Sequence, residues 1–308
     1  MLFKLSTSYK KAKEQDRPIL AFESAIITHG LPYPENIDLI HDLNILVDYF
    51  GVYLAVFWLD DGFVKVGFEE NELAALAAKS QSVKVSSRDI PFVLAKKLTG
   101  GTTVAATIHL SHQLGLSIFA TGGLGGVHYG AEYSFDISND LAVLSKTPMI
   151  VISAGVKSVL DIAKTLEMME TLGIPVYGYQ TNKFPLFYTR DSDYEIKSID
   201  SVSEIVNLHR YHQQASLSSA MLIANPVPER WSIPQDRINK IIREALEEAE
   251  KLTVSGQMVT PYLLKKLSES DLGTVQTNLE LVKNNVSLAC EIALEIAQQS
   301  PKHEQSNH

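Results

Sequence analysis

The stretch Met149-Ile150-Val151-Ile152-Ser153-Ala154-Gly155-Val156-Lys157-Ser158-Val159-Leu160-Asp161 decides how this chain folds. Its first four residues form an apolar run, the composition of a buried strand. A turn of small residues follows, and a helix is predicted to start at once. Ser158 with Asp161 three residues later resembles a capping box, with Asp in place of the usual Glu or Gln. Lys157 would then stand just ahead of a helix N-terminus. The positive end of the helix dipole and the apolar strand behind it both disfavour an ammonium. The free amine they favour is the form that attacks carbonyls. A solvated lysine ahead of a surface helix is the alternative reading.

The same unit recurs on both sides. Strand candidates at Pro18 to Phe22, Val52 to Leu59, Ser117 to Ala120, Pro175 to Gly178 and Met221 to Ala224 alternate with helical patterns. The helices are expected at about Glu35 to Phe50, Asn71 to Ser80, Thr103 to Leu114, onward from Ser158 to Leu172, Asp236 to Leu252 and Thr277 to Gln298. This alternation predicts an α/β fold, a mostly parallel sheet covered by helices on both faces. Active sites in such sheets gather at the carboxyl ends of the strands. No internal repeat or linker stands out. Residues 1–299 read as one domain with the C-terminal helices packed back onto it, and 300–308 as a disordered polar tail.

Composition narrows the function. The chain has 308 residues, 45% hydrophobic and 20% charged, with a net charge of −9. An acidic surface argues against nucleic acid or an anionic membrane as partner. Any anionic ligand must be held by a few placed cations and backbone amides. Cys290 is the only cysteine, so neither an intrachain disulfide nor a thiolate metal cluster can form, which fits a reducing cytoplasm. Met1 to Pro18 lacks the apolar core of a signal peptide. The run from Val52 to Leu59 is too short to span a bilayer. A soluble, cytoplasmic protein is expected.

Several constellations could carry chemistry. Glu23 directly follows a buried strand, where apolar company should raise its pKa toward that of a general acid; a salt-bridged glutamate is the simpler alternative. Thr121-Gly122-Gly123-Leu124-Gly125-Gly126-Val127-His128 lets the backbone approach a ligand and aim amides at an anion. Its spacing is not that of a dinucleotide fingerprint. His128 reads as a proton carrier or a structural histidine. Asp136-Ile137-Ser138-Asn139-Asp140 would present three oxygen groups on one side of an extended chain, which suits Mg²⁺ or Mn²⁺. An Asx-type turn before a helix is the simpler alternative. Lys84 and Arg88, in Lys84-Val85-Ser86-Ser87-Arg88-Asp89, could grip a phosphate. Asn278 and Asn285 share one helix face, reaching a ligand or another helix.

Taken together and in order, these segments resemble the pseudouridine-5′-phosphate glycosidase family, also known as the indigoidine synthase A family. The resemblance also rests on Glu23 to Gly30, Gly101 to Thr107, Gly178 to Thr181, Ala224 to Glu229, Thr260-Pro261 and Asn284-Asn285, and so spans nearly the whole chain. It implies an α/β/α sandwich protomer, a homotrimer, and reversible cleavage of pseudouridine 5′-phosphate to uracil and ribose 5-phosphate. By position, Glu23 matches the proton donor, Lys157 the nucleophile that forms a Schiff base, and Asp136 the aspartate that binds Mn²⁺. Lys84, Val104 and Ser138-Asn139-Asp140 match substrate-binding positions, and Thr121, His128 and Asn278 also fall on active-site positions. Tyr129 stands where the family usually has arginine, and Asn139 where it usually has alanine. A related C-glycoside or sugar-phosphate lyase, or a non-catalytic paralogue that binds ribose phosphate, are the alternatives.

Overall fold

In the computed structural model, which describes residues 2–78, 81–254 and 259–299, eleven strands form one sheet. They are β1 (Phe3–Leu5), β2 (Ile19–Phe22), β3 (Tyr53–Asp60), β4 (Phe63–Val66), β5 (Val83–Val85), β6 (Gly100–Thr102), β7 (Ile118–Ala120), β8 (Ile150–Ser153), β9 (Val176–Tyr179), β10 (Lys197–Ile199) and β11 (Met221–Ala224). The order is β1-β4-β3-β2-β7-β8-β11-β9-β10, with β6 on β3 and β5 on β6. From β3 to β10 every neighbour along this order is parallel. Among these strands of the described residues, antiparallel pairing is confined to β3 with β4 and β3 with β6. The sheet is therefore mostly parallel, as the alternation of elements predicts.

Strands buried on both faces must be apolar throughout, and β8 and β11 are buried at every residue. Helices cover both sides. The last helix, Thr274–Gln299, packs on β2, β7 and β8 beside the helices Glu35–Tyr49 and Val202–Gln214. The helix Val104–Gln113 packs on β2 and β3, with the short helix Asn139–Leu144 against it. The architecture is an α/β/α arrangement in which the C-terminal helix closes over the sheet.

Two details differ from the sequence reading. The helix expected from Ser158 begins only at Ile162, with Asp161 as its cap, accepting from the Lys164 amide at 3.1 Å. The Ser158 hydroxyl instead donates to the Leu186 carbonyl at 2.6 Å. The positive helix end is thus screened by the Asp161 carboxylate and lies beyond the turn that carries Lys157. The expected tail, 300–308, lies outside the described residues. Among the described residues no helix is long and apolar enough to cross a membrane.

Candidate active site

Register sets the site. Phe22 pairs with Ala120, and Ala120 with Ile152. The chains leaving β2, β7 and β8 therefore emerge side by side at the carboxyl edge, where such sheets bind ligands. Glu23 follows β2 and is only 6% exposed. Thr121 follows β7 and donates its hydroxyl to Glu23 Oε1. Burial raises the Glu23 carboxyl above its ordinary value, against the opposing pull of Lys157, the Thr121 hydrogen bond and Lys84. The expected environment for a proton donor is present.

The loops after β7 and β8 are laced together. The amide of Leu124 donates to the Gly155 carbonyl and that of Lys157 to the Leu124 carbonyl, both at 3.0 Å. Gly155 makes this possible: its φ is +86° and a Cβ there would stand 2.0 Å from the Pro185 carbonyl oxygen. The glycines of the first loop are bare mainly because the protein fills the space. A Cβ on Gly125 would meet Ser138 Oγ at 2.2 Å, and one on Gly126 would meet Thr165 Oγ1 at 2.5 Å. The amides of Leu124, Gly125 and Val127 are held by Gly155, Asp140 and Thr165. These amides do not form the anion cradle expected of them.

The acidic segment is likewise bent from its expected form. Asp136 and Ser138 lie beside the glycine loop, where the His128 amide donates to the Asp136 carbonyl and Ile137 bridges Val127. Ser138 then caps the helix Asn139–Leu144. Asp140 sits in the first turn, and its two oxygens accept the amides of Ala105 and Gly125, each at 2.9 Å. The three oxygen groups do not line one side of a strand. The Asn139 amide group donates to Ser87 Oγ at 2.6 Å and Ser86 Oγ at 3.1 Å, fastening the turn that carries Arg88.

The expected residues converge on a cleft with two lobes, about 280 and 560 Å³, the larger of them within the size range of small-molecule sites. Glu23, Lys84, Lys157 and His29 line both lobes. The larger lobe carries the greater number of charged and polar side chains, among them His128, Asp136, Ser138, Asn139 and Asp140, with Val104 at its edge. The smaller lobe has one apolar wall, made by Ile26, Leu31, Phe187, Tyr188 and Val275, with Asn278 beside them and Lys265 also in its lining. Thr121 stands behind Glu23 and lines neither. Lys84 opens onto both lobes, and burial together with Lys157 lowers its ammonium pKa. Burial also lowers His128, although Asp136 pulls the other way. Asn285 is a scaffold residue: fully buried, it donates to the Thr121 carbonyl at 2.8 Å and accepts from Asn225 at 3.1 Å. Tyr129 lines a separate cavity with Asp161 and Tyr194.

For a metal, the chemistry of the donors decides. Asp136 Oδ2 is 3.9 Å from His128 Nδ1, and among the described residues no group of three His, Cys, Asp or Glu side chains gathers to hold an ion. A hard cation here would rest on one carboxylate and be completed by water and ligand oxygens, rather than by a protein cage.

Sequence reasoning overlooked Phe187, Tyr188 and His29. The aromatic pair was visible in Phe184-Pro185-Leu186-Phe187-Tyr188, a proline-broken aromatic run after a strand. His29 is the penultimate residue of the π-helical turn Ile26–Gly30, a distortion frequent at functional sites. Its Nδ1 is 2.7 Å from Thr28 Oγ1.

Residues 8–295 match the family described as indigoidine synthase A like protein. The chain belongs to this family. It is 41% identical over 293 residues to a pseudouridine-5′-phosphate glycosidase of Staphylococcus aureus, covering 94% of this chain and 95% of that one. With the pseudouridine-5′-phosphate glycosidase of Geobacillus kaustophilus the identity is 42%, covering 95% and 98%. The crystal structure of an indigoidine synthase A-like protein from Thermotoga maritima superposes with a TM-score of 0.88 at 36% identity, over 96% of this chain and 97% of that one. The prealnumycin C-glycosynthase AlnA, solved in complex with ribulose 5-phosphate, gives a TM-score of 0.88 at 30% identity, over 97% and 99%. This member of the indigoidine synthase A-like family is an enzyme, like its glycosidase relatives.

Proposed function

We propose that this chain reversibly cleaves the carbon–carbon glycosidic bond of pseudouridine 5′-phosphate, giving uracil and ribose 5-phosphate. The observation that carries this reading is the two-lobed cleft with Glu23 and Lys157 at its junction. A substrate with a flat base at one end and a phosphorylated sugar at the other spans such a cleft, with its scissile bond at the junction. The names of the relatives, and the pentose phosphate bound by AlnA, support the assignment.

A carbon leaving group explains the lysine, since the carboxylate pair of ordinary glycosidases suits oxygen leaving groups. The Lys157 amine bonds C1 of the ribose as the bond from C1 to the ring oxygen breaks, and that oxygen takes a proton. The uracil carbon attached to C1 is then protonated. The bond between them breaks with its electron pair returning to the uracil ring, while the nitrogen lone pair forms a C=N⁺ iminium at C1. Water adds to the iminium, the amine departs, and ribose 5-phosphate leaves as the aldehyde. Glu23, whose protonated form burial favours, supplies and recovers the protons, and Thr121 orients it. Lys84 and Arg88 line the larger lobe, where the phosphate is held. Asp136 would hold Mn²⁺, whose charge orders water and substrate oxygens when bound.

The same reading takes the protein to be cytoplasmic and a homotrimer. Phe135, at the rim of the larger lobe, and Tyr133 near it in sequence are 81% and 89% exposed and offer an apolar surface for a second copy to cover; light scattering of the purified protein tests this.

The direct test of the function compares turnover of pseudouridine 5′-phosphate, pseudouridine and uridine 5′-monophosphate. The proposal expects rapid release of uracil from the first alone. Preference for another C-glycoside would point to a related lyase, and binding without turnover to a ribose-phosphate-binding paralogue.

A further inference from the structure

Phe187 combines three unusual properties. Its backbone is in the left-handed region, at φ +64°, which bulky residues avoid and which persists mainly where surrounding structure enforces it. The enforcement is visible: its amide donates to the Ala154 carbonyl at 2.9 Å, on the strand end that leads to Lys157. Its ring lies on bare backbone, since a Cβ on Gly123 would meet the ring at 2.4 Å. Tyr188 braces it edge-on, with centroids 4.6 Å apart at 73°. The residue is 4% exposed overall, and what is open of it forms part of the wall of the smaller lobe.

A second observation at the same spot points to a ligand. Asn278 Oδ1 is buried without a hydrogen-bond partner, and it lies 3.3 Å from where a Gly122 Cβ would be, next to the Phe187 ring at 3.4 Å from the same point. A buried acceptor left unpaired is costly, and the Asn278 side chain lines the smaller lobe, where a modest turn would bring it to a ring N–H of the base.

We infer that Phe187 is the positioning residue for the leaving base, an aromatic wall fixed by its left-handed backbone that lays the flat heterocycle beside Asn278 and in line with Lys157. This rests on the proposed function and deepens it: the residue governs the base half of the substrate and not the sugar phosphate. It predicts that base affinity and imine formation respond separately to substitution.

The experiment runs the reaction in the synthetic direction. The KM for uracil is measured in Phe187→Leu and Phe187→Tyr, and borohydride trapping of ribose 5-phosphate on Lys157 is measured in parallel. Losing a base–aromatic contact should raise the uracil KM by about ten- to a hundredfold in Phe187→Leu. Phe187→Tyr should stay close to the unsubstituted enzyme, and both variants should trap ribose 5-phosphate at the unsubstituted rate. If Phe187→Leu fails to fold, Phe187→Asn, which tolerates the left-handed backbone, takes its place with the same expected outcome. An unchanged uracil KM, or trapping lost in step with it, would overturn the base-positioning role while leaving the functional reading intact. An unsubstituted enzyme that neither turns over nor traps would overturn that reading and this role with it.

Discussion

Thr121 gives its hydroxyl hydrogen to the carboxylate of Glu23 from the neighbouring strand. The contact follows from register, because Phe22 and Ala120 are paired and each is followed by one of the two residues. It holds an acid whose ionised form is opposed by burial, so the geometry of proton transfer is fixed before substrate arrives.

Glu23→Gln should therefore cost activity and gain stability. The folded carboxyl titrates above its ordinary value of 4.5, so the stability it contributes is whole below that value and is lost as pH rises through the raised one. Removing the ionisation should raise Tm at pH 8 relative to the unsubstituted protein, and the gap should close near pH 4. Turnover should fall by roughly 10²- to 10⁴-fold. A lower Tm at pH 8 would show that Glu23 is held ionised and is no proton donor.

Asp140 is a structural anchor as well as a lobe residue. Its two oxygens take the amides of Ala105 and Gly125, and leaving both unpaired should cost about 3 kcal/mol. Asp140→Ala should shift urea unfolding accordingly, and Asp140→Asn, which keeps one acceptor, should lose less. A change within about 0.5 kcal/mol, the range of ordinary surface substitutions, would refute the anchoring.

How far this was legible beforehand depends on the element. Long apolar runs were, as with β11, whose bounds at Met221 and Ala224 were readable from composition alone. Strand β6 was hidden because it is Gly100-Gly101-Thr102, a sequence that disfavours strands. Its glycines are needed because a Cβ on Gly101 would meet Thr28 Oγ1 at 2.2 Å. The capping box at Ser158 misled because its hydroxyl is claimed by Leu186, 28 residues on. Local pattern cannot reveal such a partner. For the site, Glu23, Lys84, Asp136 and Lys157 converge as expected. Phe187 went unnoticed because its role depends on a glycine loop folded against it from far away in sequence.

In an acidic protein with a net charge of −9, phosphate binding must come from local cations. Lys84→Ala should lower kcat/KM for pseudouridine 5′-phosphate by roughly 30- to 1000-fold, about 2–4 kcal/mol for a lost charged donor. Unphosphorylated pseudouridine should be affected far less. Equal losses on both would place Lys84 in the sugar chemistry instead.

Asp136 is the sole carboxylate proposed for the metal. Asp136→Ala should retain its fold by circular dichroism and lose both the electron paramagnetic resonance signature of bound Mn²⁺ and the Mn²⁺-dependent part of the rate. Undiminished Mn²⁺ binding in the variant would assign the metal elsewhere.

The central claim is a covalent bond between Lys157 and the sugar. The purified enzyme incubated with ribose 5-phosphate and borohydride should gain one reduced pentose phosphate per chain, and peptide mass spectrometry should place it on Lys157 and find none in Lys157→Ala. An adduct on another lysine, or none from an enzyme that turns over, would contradict the account.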